Sequence, residues 1–104
     1  MAMNPQAMMK QARKMQAKME RAQAEAAEKT VEATAGGGMV TVEVSGDLQV
    51  KSIKIDPEAV DPEDVEMLED MIMAAVNQGI EDAQAMTAEM INAATGGMNI
   101  PGLF

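Results

Sequence analysis

The chain of 104 residues contains no cysteine and no histidine, and its single aromatic residue is Phe104. Without cysteine or histidine the chain can form no disulfide, no thiolate or imidazole metal site and no Ser-His triad. Without internal aromatic side chains, the base-stacking platforms of RRM and OB domains are excluded. We therefore expect a protein that is not an enzyme, with no catalytic residue, no metal, no cofactor and no small-molecule substrate.

Long apolar runs are also missing. No window approaches the roughly 18 uncharged apolar residues of a membrane-spanning helix. The first ten residues, MAMNPQAMMK, lack the apolar block of a secretory signal. The absence of cysteine agrees with a reducing compartment. We therefore expect a cytoplasmic protein that does not bind a membrane.

The order of periodic segments predicts an α+β domain over residues 1–95 and a flexible C-terminal tail over 96–104. Asn4-Pro5 is typical of a helix start, and a long N-terminal helix is expected over about residues 5–29. Three short strands, at 30–35, 39–45 and 48–56, form an antiparallel meander. Within the second strand, the valines at 40, 42 and 44 face opposite to the polar residues between them.

The third strand and the second helix carry further local signals. The apolar residues of the third strand change phase, which predicts a bulge or an end twist near Lys51-Ser52. Asp61 followed by Pro62 predicts the start of a long C-terminal helix, with Asp61 as its cap. That helix runs to about Ala94, ahead of Gly96-Gly97.

Both helices carry apolar stripes at helical spacing. The stripe of the first helix recurs at intervals of three and four residues: Met8, Ala12, Met15, Met19, Ala22 and Ala26. The second stripe broadens around the middle of its helix. The residues that we expect to pack in the core or a dimer interface are Met8, Met15, Met19, Leu68, Ile72 and Val76.

The helices are too long for a compact monomer. At 1.5 Å per residue they would measure roughly 37 Å and 48 Å, whereas a compact chain of this length is only about 33 Å across. One three-stranded sheet is also too small to cover the second helix. These lengths predict an intertwined homodimer with projecting helical arms.

The charges are segregated along the chain. The net charge is −9, yet residues 1–21 carry five basic residues and a single acid, while residues 55–104 carry eleven acids and no base. On a helix the five bases fall within an arc of about 140°, opposite the apolar stripe. The pattern therefore predicts an exposed basic face on the first helix, formed by Lys10, Arg13, Lys14, Lys18 and Arg21.

Other candidate sites are better explained as structural features. Gly36–Gly38 precedes a strand rather than a helix, which favours a hairpin loop over a phosphate-binding loop. The carboxylates between Asp56 and Asp64 do not have the spacing of an EF-hand, and prolines beside them favour helix caps. Most of the thirteen methionines lie at helical spacing, which favours packing over promiscuous binding.

The sequence resembles the YbaB/EbfC family of bacterial nucleoid-associated proteins over nearly its whole length. The resemblance is carried by the basic first helix, by GGGMVTVEVSG at 36–46 and by IKIDP at 53–57. It continues through DPED at 61–64, EMLED at 66–70 and AAVN at 74–77. The run from Ile53 to Asn77 is its most specific part.

The resemblance implies a cytoplasmic homodimer, located at the nucleoid and shaped like tweezers. Its helical arms would grip double-stranded DNA and influence nucleoid organisation and gene expression. The second helix has no Lys or Arg, so this role is carried over only to the basic face of the first helix. Two other functions stay open: a prefoldin-like chaperone, and an acidic adaptor that binds basic proteins through residues 56–89.

Overall fold

The computed structural model describes residues 4–96, which form a helix, a three-stranded sheet and a second helix. The elements in chain order are α1 Pro5–Glu28, β1 Thr30–Ala35, β2 Val40–Ser45, β3 Val50–Ile55, a short 3-10 helix Pro57–Ala59 and α2 Val65–Ala94. The α+β architecture predicted from the sequence is confirmed. No helix among residues 4–96 is long and apolar enough to span a bilayer.

The helix α1 begins where its sequence signal places it. The Oδ1 atom of Asn4 accepts a hydrogen bond from the backbone N–H of Ala7 at 2.7 Å, and Pro5 is the first helical residue. This satisfies one of the backbone donors that a helix start leaves without a partner. Only Ala22 and Ala26 of α1 are buried, so packing holds the C-terminal half of the helix.

The sheet is an antiparallel meander in the order β1-β2-β3, and its two faces differ in polarity. Residues paired across antiparallel strands share a face. The partners of Val40, Val42 and Val44 are therefore on the same face as these valines; they are Ala35, Ala33 and Val31 on β1, and Ile55, Ile53 and Val50 on β3. The opposite face is formed by polar side chains, as the alternation in β2 predicts.

The predicted bulge in β3 is confirmed. Val44 pairs with Val50 and Glu43 pairs with Ser52, so Lys51 is the extra residue of the register. Strict alternation from Ile55 and Ile53 would place Lys51 on the apolar face and Val50 on the polar face. The extra residue shifts the alternation by one position, so that Val50 is on the apolar face.

The core lies between α2 and the apolar face of β1 and β2. Ala75, Gly79 and Ala83 are the buried residues of α2, and the three valines of β2 are fully buried. A Cβ atom on Gly79 would lie 2.6 Å from Cγ2 of Val44, which is shorter than any normal contact. Small residues on this stripe of α2 therefore allow the helix to lie directly on the sheet.

Two predicted boundaries are wrong. The helix α2 is capped by Asp64, whose Oδ1 accepts from the N–H of Met67 at 3.2 Å. Asp61 instead closes a separate turn, in which its Oδ1 accepts from the N–H of Glu63. The third strand begins at Val50 rather than Leu48, because Leu48 has a left-handed backbone (φ 63°) and lies in the turn after β2.

The chain is elongated, with extents of 73 × 25 × 16 Å and a radius of gyration of 19.8 Å. A compact chain of this length would have a radius of about 13 Å. The projection that the helix lengths predict is therefore confirmed. Apart from Gly96, the predicted tail 96–104 lies outside the described residues.

Candidate nucleic-acid interface

The N-terminal half of α1 extends beyond the other elements that the structure describes. Near its end α2 borders a shallow groove together with α1, where Ala93 and Ala94 lie beside Lys18, Arg21 and other residues of α1. Residues 5–17 therefore continue past the end of α2, over about 20 Å at 1.5 Å per residue. We call residues 5–17 the arm. Every residue from 4 to 14 is exposed.

The five basic residues of α1 lie on one exposed face of this helix. Lys10, Arg13, Lys14, Lys18 and Arg21 are all exposed, three of them on the arm and two beside the end of α2. The apolar stripe lies on the opposite side, and its members Ala22 (4% exposed) and Ala26 (0%) are packed against the body. This packing leaves the basic face exposed to solvent rather than turned toward the core.

The direction of the arm is set where α1 meets the turn after β2. The N–H of Gly46 donates to the carbonyl oxygens of Ala26 at 3.1 Å and of Lys29 at 3.0 Å. Thr87 Oγ1 of α2 donates to the carbonyl of Gly46 at 3.2 Å. A Cβ atom at Gly46 would lie within 2.1 Å of the Ala26 carbonyl oxygen, so only glycine fits this junction. The two helices and the sheet are therefore joined at one residue.

The acidic residues 56–70 lie at the other end of the molecule. Asp56 donates its N–H to Met39, beside the β1–β2 hairpin, and Met71 of α2 contacts Gly36 of the same hairpin. The arm leaves from the opposite end of the sheet, at Gly46. Acidic residues repel a polyanion and basic residues attract one. The two ends of the long axis therefore differ: the end with residues 56–70 repels a polyanion, and the basic face near the other end attracts it.

Three of the five carboxylates considered for a cation site cap a helix or close a turn. Asp56 caps the 3-10 helix, where its Oδ1 accepts from the N–H of Glu58 at 2.9 Å, and Asp61 and Asp64 close the next two turns. Within residues 4–96 no group of three acidic side chains is arranged to hold a metal ion. Gly36–Gly38 forms the β1–β2 turn with positive φ at all three residues, as a hairpin loop requires.

The candidate packing residues lie in two different environments. Leu68, Ile72 and Val76 are half-buried and pack against the core beneath α2. On α1, Met8 is 56% exposed and Met19 is 37% exposed, while Met15 is half-buried. All three methionines are on the apolar stripe: Met8 and Met15 lie on the arm, and Met19 lies just after it.

A further apolar group on β3 was missed in the sequence analysis. Val50 (42% exposed), Ile53 (45%) and Ile55 (37%) share the face on which α2 covers β1 and β2. We call these three residues the β3 patch. The signal that could have found it is the phase change at Lys51, since a bulge there places all three side chains on one face.

Known proteins resemble this chain in sequence and in fold. A sequence model described as the YbaB/EbfC DNA-binding family matches residues 1–98. A protein of Alkaliphilus metalliredigens named as nucleoid-associated is 59% identical over 103 residues, which cover 99% of this chain and 90% of that protein. A second one, from Syntrophobacter fumaroxidans, is 55% identical over 95 residues, or 91% of this chain and 86% of that protein.

A solved structure supports the fold. The crystal structure of an uncharacterized protein from Helicobacter pylori superposes with a TM-score of 0.72 at 20% identity, over 86% of this chain and 94% of that one. The match of the family model covers nearly the whole chain, and both relatives are more than half identical. This chain therefore belongs to the YbaB/EbfC DNA-binding family.

Proposed function

We propose that this chain is a nucleoid-associated protein that binds double-stranded DNA as a homodimer and thereby influences nucleoid organisation and gene expression. The observation that carries the proposal is the basic face on a projecting helix, in a chain whose net charge is −9. The family and the names of the relatives support DNA as the partner and the nucleoid, within the cytoplasm, as the location.

The mechanism of binding is phosphate neutralisation by Lys and Arg. Each phosphate contact releases condensed counterions, so affinity depends on salt and hardly on base sequence. Two arms would offer ten basic residues. If between half and all of them contact phosphates, the slope of log affinity against log salt lies between roughly −4.5 and −9. The acids at the far end repel DNA and leave the arms as the part that approaches it.

The homodimer is proposed from the β3 patch. These three large aliphatic side chains are exposed, whereas the equivalent valines of β2 are fully buried and the equivalent residues of β1 are buried or half-buried. Fully burying a Val or Ile side chain contributes about 1.5–3 kcal/mol, so leaving three of them in water is costly for a small domain. A second copy that covers the β3 patch would bury them and would bring two arms into one particle.

The test is DNA binding as a function of salt. The purified chain is titrated into a fluorescent duplex of about 30 base pairs with an unrelated sequence, from about 25 to about 200 mM salt. We expect binding at low salt and a steep negative slope of log affinity against log salt concentration. If anisotropy does not change even at the lowest salt, DNA binding is refuted for this chain, and the acidic residues 56–89 become the surface to test against basic proteins.

A further inference from the structure

The turn after β2 holds Leu48 in a conformation that leucine rarely adopts. Its backbone is left-handed (φ 63°), and within residues 4–96 every other residue with a positive φ is glycine. In this region the Cβ atom crowds the backbone, so turns usually have glycine or asparagine at such a position. Leucine therefore strains this turn, and a contact of its side chain has to offset the strain.

Two backbone hydrogen bonds fix this turn. The N–H of Leu48 donates to the carbonyl oxygen of Ser45 at 2.8 Å, and the N–H of Ser45 donates to the carbonyl oxygen of Gln49 at 2.9 Å. Asparagine at position 48 could keep both bonds, because they involve only backbone atoms. The feature that leucine adds to the turn is therefore its apolar side chain.

The side chain of Leu48 is only partly covered by its own chain. It is 43% exposed and borders a shallow groove, whose other side is formed by the C-terminal half of α2 at Thr87 and Ile91. The residues that line this groove are uncharged, and the acidic Asp47 precedes Leu48 in the chain. An uncharged apolar surface beside an acidic residue suits contact with a protein rather than with a polyanion.

The groove continues along α2 as an apolar flank beside β3. Six residues of α2 recur at intervals of three and four, and therefore lie on one side of the helix: Met73, Val76, Ile80, Gln84, Thr87 and Ile91. We call these six residues the α2 flank. Its last three members border Leu48, just before β3, whereas Met71 on another side of α2 contacts Gly36 at the end of β1. The α2 flank therefore faces the side of the sheet on which β3 lies.

The α2 flank and the β3 patch form the two sides of one apolar step. The α2 flank is about 27 Å long at 1.5 Å per residue, and the segment from Leu48 to Ile55 spans about 23 Å. Leu48 joins the two sides, because it borders the α2 flank and lies two residues before Val50. Met73 is 57% exposed, so the step is open at both of its ends.

The β3 patch alone is too small for a stable dimer. A specific interface buries about 800 Å² on each partner. Fully burying a Val or Ile side chain removes only about 60–120 Å² of apolar surface, so the three residues of the β3 patch supply at most about 360 Å². A dimer interface on this face therefore extends beyond the β3 patch, and Leu48 and the α2 flank are the apolar surface that continues it.

We propose that the second copy of the chain covers Leu48 and the α2 flank together with the β3 patch, and that contact with the second copy offsets the strain at Leu48. This inference rests on the homodimer proposed above, and it names residues outside the β3 patch that stabilise the dimer. A two-fold dimer uses the same surface of both copies, so each substitution removes two contacts.

The substitution Leu48→Asn separates the contact from the strain. Asparagine adopts the left-handed conformation more readily and removes the apolar side chain. Sedimentation velocity over a dilution series measures the dissociation constant of the dimer, with interference optics because the chain lacks Trp and Tyr. We expect this constant to rise about 10- to 100-fold for Leu48→Asn, and less than about threefold for Leu48→Met, which keeps an apolar side chain of similar volume. A parental dissociation constant for Leu48→Asn would overturn the proposal.

The single chain should respond differently from the dimer. In the background of Ile55→Glu, which we expect to be monomeric, Leu48→Asn should leave the midpoint of urea unfolding unchanged or raise it, because the strain of the turn is relieved. A lower midpoint would show that Leu48 stabilises its own chain through the α2 flank, and would contradict the contact with a second copy.

Two methionines of α2 provide a matched control. Met73 (57% exposed) belongs to the α2 flank, whereas Met67 (55% exposed) lies about 120° away around the same helix. Gln retains a helix propensity close to that of Met. We expect Met73→Gln to raise the dissociation constant of the dimer about three- to tenfold and Met67→Gln to leave it unchanged. Equal constants for these two variants would remove the α2 flank from the interface.

These measurements also separate this inference from the proposed homodimer. If Ile55→Glu is monomeric while Leu48→Asn and Met73→Gln keep the parental dissociation constant, the β3 patch is the interface and only its extension is refuted. A dimer that persists in Ile55→Glu would refute the β3 patch as the interface, and this inference with it.

Discussion

Neutralising three lysines of the basic face should reduce the salt dependence of DNA binding more than neutralising three exposed lysines outside that face. The variant Lys10/Lys14/Lys18→Gln removes three of the five bases of α1, and therefore six of the ten in a dimer. The remaining four support a slope of at most about −3.6, compared with roughly −4.5 to −9 for the parent. Between 50 and 200 mM salt, the affinity of the parent would fall about 500-fold to 3 × 10⁵-fold, and that of the variant at most about 150-fold.

The control for this variant is Lys29/Lys51/Lys54→Gln. These are the other three basic residues of the chain; they are exposed, and their loss changes the net charge by the same amount. Fluorescence anisotropy over a salt series measures both slopes. We expect the control to keep the parental slope and to lose affinity only through its greater net negative charge. Equal slopes for the two variants would refute the assignment of phosphate contacts to the basic face.

Three further substitutions test the dimer and the fold. Ile55→Glu places a charge in the β3 patch and should convert the dimer to a monomer, as measured by light scattering after size-exclusion chromatography. The control Lys54→Glu, on the opposite face of the sheet, should remain a dimer. A dimer for both variants would exclude the β3 patch as the interface. Gly46→Ala should lower the free energy of unfolding by about 1–3 kcal/mol, because its Cβ meets the Ala26 carbonyl oxygen. The Tm measured by calorimetry should fall by several degrees. An unchanged Tm would show that the junction is not tightly packed. Asp64→Ala should lower the free energy of unfolding by about 1 kcal/mol through loss of the α2 cap, whereas Glu63→Ala should leave it almost unchanged. Equal midpoints of urea unfolding for these two variants would contradict the assignment of Asp64 as the cap.

The elements of this fold followed from short-range patterns in the sequence. The Asn4-Pro5 cap, the alternation in β2 and the bulge at Lys51 each depend on local rules that few tertiary contacts override. The start of α2 was wrong because Asp61 and Asp64 are both competent caps within four residues. The chain resolves this choice with Asp61 in a preceding turn, and local propensity alone does not rank the two.

The candidate site was predictable in its residue types but not in its surroundings. The spacing of Lys10, Arg13 and Lys14 indicates a shared exposed face, and the structure places all three in the open. The cover of the apolar stripe depends on where α2 ends beside α1, which is a property of packing between elements more than sixty residues apart. For the same reason the sequence could not show that Met8 is exposed while Ala26, on the same stripe, is fully buried.

The most direct test of the account is to map DNA contacts on the protein by NMR. Backbone amide shifts of the isotope-labelled chain are followed as an unlabelled duplex is added at low salt. We expect the perturbed amides to lie within α1 from about residue 5 to 21, around the basic face, and the amides of residues 56–70 at the acidic end not to shift. Perturbations centred on α2 or on the acidic end, with α1 unchanged, would contradict it.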